Sequence, residues 1–189
     1  DVGLKDIGSE DFSSAGNLQT LNLQQNKIKS LENVQFIYLK NLEEINLSHN
    51  EISSIHDGAF YKLSKNIKKI DLSFNKIANF KEEFLWLIVD NMLNTFLNIN
   101  LQNNEISEWV VADKNKSSAV MLNLNLNDNK LKSVEIKNLK IGKLSLSNNQ
   151  IVDFNGTYEE VDISNNKIEK LRVSENCNII KASNNRISE

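Results

Sequence analysis

The chain has 189 residues, a formal net charge of -3 and 25% charged residues. That length suits a single domain. Its charges of both signs are interspersed, which argues against nucleic acid as a partner, because phosphate binding needs a clustered basic surface. The longest apolar run, Phe84 to Val89, falls far short of the roughly 20 residues a helix needs to cross a bilayer, so direct membrane insertion is not expected.

One pattern of spaced apolar residues closed by Asn, L-x-x-L-x-L-x-x-N-x-L, recurs from end to end. Leu4, Ile7 and Phe12 align with Ile52, Ile55 and Phe60, so the chain is expected to begin partway through a unit. Full copies start at Leu18, Leu42, Ile67, Phe96, Met121, Ile141, Tyr158 and Cys177. Their closing residues are Asn26, Asn50, Asn75, Asn104, Asn129, Asn149, Asn166 and Asn185. Eight copies with the Asn never missing is a repeat, and the repeat decides the fold.

Within each copy the apolar pair before the Asn alternates with polar residues at period two, as a half-buried strand does. One short strand cannot bury its face alone, so successive units stack around a shared core. The Asn falls where the chain leaves the strand, where its amide can satisfy turn backbone on both neighbouring coils. Spacing between these Asn residues is 24 to 25 residues in the early units, 29 from Asn75 to Asn104, and 20, 17 and 19 after Asn129. The long unit holds Phe84, Leu85, Ile88, Met92 and Leu93 at helical spacing, which predicts a helix within Lys81 to Thr95. The short units have room only for extended chain and turns. Trp86 falls on the more polar side of that helix, near Asp90, and is expected to be exposed. Trp109 aligns with Ile55, Phe80 and Phe154 and is expected in the core, as is Cys177 at a first apolar position.

Polar residues between the strand leucines should line the concave face. The central column, which includes Asp71, and its neighbour are small and polar, poor anchors for a partner. The column just before the closing Asn is more mixed: Gln25, His49, Phe74, Asn103 and Asp128. These five, with Asp71, are the candidate partner-binding residues. A solvated face with Phe74 lying over its neighbours is the competing reading. Glu43 and Glu44 stand beside Lys68 and Lys69 in the next unit, as cross-strand charge pairing would place them. Three sequons mark candidate N-glycosylation sites at Asn46, Asn115 and Asn155; Asn115 and Asn155 are expected in loops and Asn46 on the concave face. Neither His49 nor His56 belongs to a catalytic or metal-ligand spacing, and no nucleophile elbow or phosphate-binding glycine loop occurs. Catalysis, a cofactor and a metal are not expected.

The pattern resembles the extracellular leucine-rich repeat proteins. The stretch from Ile52 to Leu72, with Phe60 and Leu63 in its outer segment, looks like the repeats of Toll-like ectodomains and adhesion proteins. The abbreviated run Glu159-Glu160-Val161-Asp162-Ile163-Ser164-Asn165-Asn166 looks more like the secreted leucine-rich immune proteins of mosquitoes. The resemblance implies an α/β solenoid, a horseshoe with a parallel sheet on its concave face and a mostly irregular or short-helical outer side. It implies one repeat domain over 1–189, a fragment of a longer chain without recognisable caps. For function it implies a secreted protein-binding module of innate immunity, scaffolding a partner such as a complement-like factor. The alternative it implies is a fragment of a Toll-like or adhesion receptor ectodomain. Dimerisation, known in the mosquito proteins, rests there on a coiled coil and capping cysteines and carries over to no residue here.

Overall fold

The computed structural model describes residues 3–111, 117–156, 158–173 and 176–188. After a short 3-10 turn at Ser9–Phe12, the first half of the chain runs β1 (Thr20–Asn22), β2 (Ser30–Leu31), β3 (Glu44–Asn46), β4 (Ser54–Ile55), β5 (Lys69–Asp71), α1 (Glu82–Val89) and β6 (Phe96–Asn100). The second half runs β7 (Glu108–Val111), β8 (Met121–Asn125), β9 (Ser133–Ile136), β10 (Lys140–Ser145), β11 (Asp153–Gly156), β12 (Glu160–Asp162), β13 (Lys170–Val173) and β14 (Ile179–Lys181).

One strand from each unit joins an eight-stranded sheet in the order β1-β3-β5-β6-β8-β10-β12-β14. Every pairing in it is parallel, and the register carries one inward residue per coil: Leu21, Ile45, Ile70, Ile99, Leu124, Leu144, Val161 and Ile180. The returning side of the coils is more regular than the repeat pattern implies. Two-stranded parallel sheets form there from β2 with β4, β7 with β9, and β11 with β13.

Each closing Asn holds two coils together in the same way. The Asn104 amide donates to the carbonyls of Leu72 and Leu101, and its Oδ1 accepts from the Ile77 N–H at 3.0 Å. Oδ1 atoms of the other seven accept likewise from Leu4, Ile28, Ile52, Ile106, Leu131, Ile151 and Ile168. These Asn side chains therefore line one seam, and the predicted ladder is what the stack contains. The bond from Leu4 places residues 3–12 as a partial coil against the first full one.

Aromatic rings fill the space behind the leucines. Phe36 packs between Phe12 and Phe60 at centroid distances of 6.4 and 6.0 Å. Farther along, Phe80 stacks on Trp109 at 5.2 Å and meets Phe84 edge-on at 5.4 Å. Trp109 is thus a core residue, as its alignment predicts. Tyr158 packs on Phe154, and burial pushes its phenol up to about 12, so it stays neutral at ordinary pH. Its ring crosses Gly156 so closely that a Cβ there would overlap it, which leaves glycine as the residue that fits.

Helix α1 forms at the predicted place, with Glu82 and Glu83 in its first turn, where the helix dipole favours negative charge. It differs from expectation in two respects. Trp86 is buried rather than exposed: five of the eight helix residues are enclosed, Trp86 among them although Glu82 and Asp90 flank it at helical spacing. The helix also stops before Met92 and Leu93. Beyond it, the Asn91 amide donates to Leu63 O, Leu93 N to Lys65 O, and the Asn94 amide to Asn66 O. Those bonds tie the segment to the preceding coil and draw it out of helical geometry, leaving Leu93 73% exposed.

The first apolar position also departs from expectation in two units. Phe96 is 58% exposed and Met121 half-buried, while Leu97 and Leu122 take the inward places. The cause is parity. Residues three apart cannot share a face of a regular strand, and β6 and β8 extend far enough to include the first position. Strand β10 keeps both Ile141 and Leu144 inward because its register shifts between Ile141 and Lys143, with Gly142 as the extra residue. At the end of the stack Ile180 and Ile187 are exposed, and Cys177 is half-buried rather than enclosed, with its Sγ 3.5 Å from Ile179 O.

Candidate functional site

The column before the closing Asn has a backbone property that the repeat pattern conceals. Gln25, His49, Phe74, Asn103, Asp128, Asn148, Asn165 and Asn184 all have φ between 54° and 57°. This left-handed conformation is costly for most L residues and least so for Asn and Asp. It turns the chain sharply off the sheet while the N–H still bonds across coils, as Phe74 N does to Gln102 O at 2.9 Å. Five of the eight positions hold Asn or Asp. Phe74 and Gln25 are the costly choices.

Phe74 and His49 stack face to face, with centroids 4.2 Å apart and planes 9° from parallel. Phe74 remains 43% exposed, so it both lies over its neighbour and offers a ring to solvent. Two of the other candidates are engaged within the sheet. Asp128 accepts from the Gln102 and Asn148 amides. Asp71 accepts from Ser73 through both N–H and hydroxyl, and from the Asn100 amide. Its role repeats along the central column: Asn22, Asn46, Asn100, Asn125 and Asp162 each accept from the N–H two residues on, an Asx turn that ends the strand. Gln25 and Asn103 flank the stacked pair along the same column.

Phe96 and Met121, which the repeat template assigns to the core, belong to the concave face. They are register neighbours at the start of β6 and β8. A shallow depression of about 400 Å³ opens beside them, lined also by Gly142, Lys143, Glu160 and Ile179. The Met121 side chain passes 3.2 Å from where a Gly142 Cβ would lie. In sequence, the signal for Phe96 is the Leu97-x-Ile99-x-Leu101 alternation, which already fills the inward places. At roughly 3.3 Å per residue, the seven steps from Phe96 to Asn103 span about 20 Å. The two aromatic patches therefore mark opposite edges of one polar face.

Charges on this face pair between coils, as expected: Lys68 with Glu43 at 2.7 Å and Lys143 with Glu160 at 2.9 Å. On the outer side Lys81 bonds to Asp57 and Lys130 to Glu105, holding both carboxyls below their ordinary range. Exposed pairs of this kind are screened by solvent and contribute little to stability. His56 is placed apart from His49, its Nδ1 accepting from Gly58 N. Among the described residues, no three His, Cys, Asp or Glu side chains are grouped to hold a metal ion. Nor is any helix among them long and apolar enough to cross a membrane.

Of the three sequon residues, Asn115 lies outside the described residues. Asn155 sits in strand β11 rather than in a loop, exposed and opposite Arg172. The Asn46 amide already donates to Gln24 Oε1 at 2.9 Å.

Comparison with known proteins agrees with this geometry. The family model described as leucine rich repeat matches residues 3–52 and 16–77. No curated protein matches the sequence. Among solved structures, the leucine-rich repeat domain of mosquito APL1B superposes with a TM-score of 0.62 at 18% identity, over 98% of this chain and 63% of that one. The mosquito LRIM1/APL1C complex gives 0.64 at 20% identity, over 99% and 39%. The TLR13–ssRNA13 complex gives 0.65 at 25% identity, over 96% and 27%. This chain thus spans less than two thirds of the length of each of these chains. The leucine-rich repeat family is thus matched through residues 3–77, and the fold of the described chain to its last coil is that of a leucine-rich repeat solenoid.

Proposed function

We propose that the chain is a non-catalytic protein-binding module, secreted and acting in innate immunity as a scaffold for a protein partner. The observation that carries this reading is Phe74. A bulky aromatic held at φ 54° and stacked on His49 costs the fold conformational strain, yet leaves a rigid ring in solvent at the rim of the concave face. Rigid aromatics are strong interface anchors. Phe96 supplies a second at the opposite edge. A partner reaching both would cover Asn103, Asp128 and Asp71 between them, with Gln25 and His49 at its margin. The likeness to a complex of two mosquito leucine-rich repeat proteins favours a protein partner. The likeness to TLR13 favours a second reading, part of a receptor ectodomain. Of the two described sequon residues, Asn155 is the better placed to carry a glycan, on the outer strand β11 and away from this face.

The test uses Phe74→Asn, which installs the residue found at four other positions of the column. Relief of left-handed strain, roughly 1 kcal/mol, offsets the lost ring stacking, also roughly 1 kcal/mol, so the melting temperature should hardly move. Capture of protein from extracellular fluid of the source organism, followed by binding of the purified captured protein, should fall by about tenfold or more in Phe74→Asn combined with Phe96→Ser. Equal binding by both chains, or recovery of nucleic acid in place of protein, overturns the proposal.

A further inference from the structure

A second surface lies off the concave face, where residues 62–66 run beside the segment that follows α1. It encloses a depression of about 470 Å³ lined by Lys40, Lys62 and Lys65, with Leu93 and Asn91, and no carboxylate contributes to the lining. Its floor is built from fixed bonds. Ser64 Oγ donates to Lys40 O at 2.9 Å, the Asn91 amide to Leu63 O at 2.9 Å, and Leu93 N to Lys65 O at 2.9 Å.

The lysines here share one lining that holds no carboxylate, unlike those held in ion pairs elsewhere. Lys68, Lys76, Lys81, Lys130 and Lys143 each pair with a carboxylate on an adjacent coil. Lys40, Lys62 and Lys65 form no ion pair among the described residues. The Lys62 ammonium lies 5.4 Å from the Tyr61 ring centroid, a contact that orients the charge without neutralising it. In a chain of net charge -3, three uncompensated cations therefore surround one apolar side chain that is 73% exposed.

We propose that this depression is a docking site for an acidic peptide segment that carries an apolar side chain. Carboxylates of the segment meet the three ammonium groups, and its apolar side chain covers Leu93. Charge complementarity points to an anionic occupant, and Leu93 selects a peptide over a nucleic acid. No aromatic side chain lines the depression, whereas single-stranded nucleic acid binding rests on aromatic faces on which bases stack. This site is independent of the Phe74 surface, and either can fail without the other.

The probe is a fluorescein-labelled peptide of glutamates around one central leucine, with a glutamate-only peptide and a thymidine oligonucleotide beside it. Binding to the whole chain is read by fluorescence anisotropy. Lys40→Gln with Lys62→Gln and Lys65→Gln should weaken binding of the leucine peptide by about tenfold or more. Lys76→Gln with Lys130→Gln and Lys167→Gln removes the same charge elsewhere and should leave it within about twofold. Leu93→Ser should bring the leucine peptide down to the affinity of the glutamate-only peptide. Absence of binding, equal weakening by both triple variants, indifference to Leu93→Ser, or tighter binding of the oligonucleotide would each overturn the proposal.

Discussion

Trp109→Ala is expected to destabilise the fold by about 4 kcal/mol, within the range for removing a buried large aromatic. The Trp109 ring is 1% exposed, lies 5.2 Å from the Phe80 ring and is nearly parallel to it. It belongs to β7 on the returning side, so its loss opens a void between the coil that carries α1 and the next. A solenoid core is one coil deep at each point, and no second layer can close around the gap. Trp109→Phe should cost far less, because phenylalanine already fills the equivalent places at Phe80 and Phe154 and because no described residue accepts from the Trp109 indole N–H. Phe96→Ala, which removes an aromatic facing solvent, should change stability by less than about 0.5 kcal/mol. Urea unfolding of the three variants reads all three values. Similar losses for Trp109→Ala and Phe96→Ala would contradict the assignment of one to the core and the other to the surface.

Asn104→Ala is expected to cost about 3 kcal/mol. The substitution leaves the Ile77 N–H buried without an acceptor, at about 1 to 3 kcal/mol. It also removes donors from the Leu72 and Leu101 carbonyls, but each keeps another, from Asn75 and Asn129 respectively. Those two lost bonds contribute about 1 kcal/mol more between them. Asn26→Ala, at the exposed first rung, should cost about 1 kcal/mol or less, since the Leu4 N–H it serves is open to water. Equal costs at the two positions would mean that the seam is not sealed from solvent along its middle.

The repeat was fully legible in the sequence because its physics is local: alternation sets the strand, and Asn closes the turn. Legibility failed where two local rules competed. At Phe96 the repeat template and the two-residue period of a longer strand call for opposite faces, and the strand period prevails. At Ile141 the same competition is resolved by inserting Gly142. At Trp86 a polar flank in sequence gives no sign that the side chain is enclosed. The Met92 and Leu93 positions fit a helix by spacing, but Asn91 and Asn94 bond across coils and end it. The candidate column was found for its side chains alone. What singles out Phe74 within it is the left-handed backbone it shares with seven positions, better suited to the Asn or Asp at five of them. Of the unpaired lysines around Leu93, Lys40 comes from one coil and Lys62 and Lys65 from the next, and no position of the repeat pattern marks them.

Backbone amide exchange tests the central claim most directly, at the residue two places after each closing Asn. The amides of Ile52, Ile77, Ile106, Leu131 and Ile151 belong to no strand and bond only to a side-chain oxygen of the next coil. They should exchange at least roughly a hundredfold more slowly than in an unfolded chain, with Leu4 at the exposed rung much faster. Exchange of the five internal amides at unfolded-chain rates would contradict the inter-coil asparagine seam on which the solenoid depends.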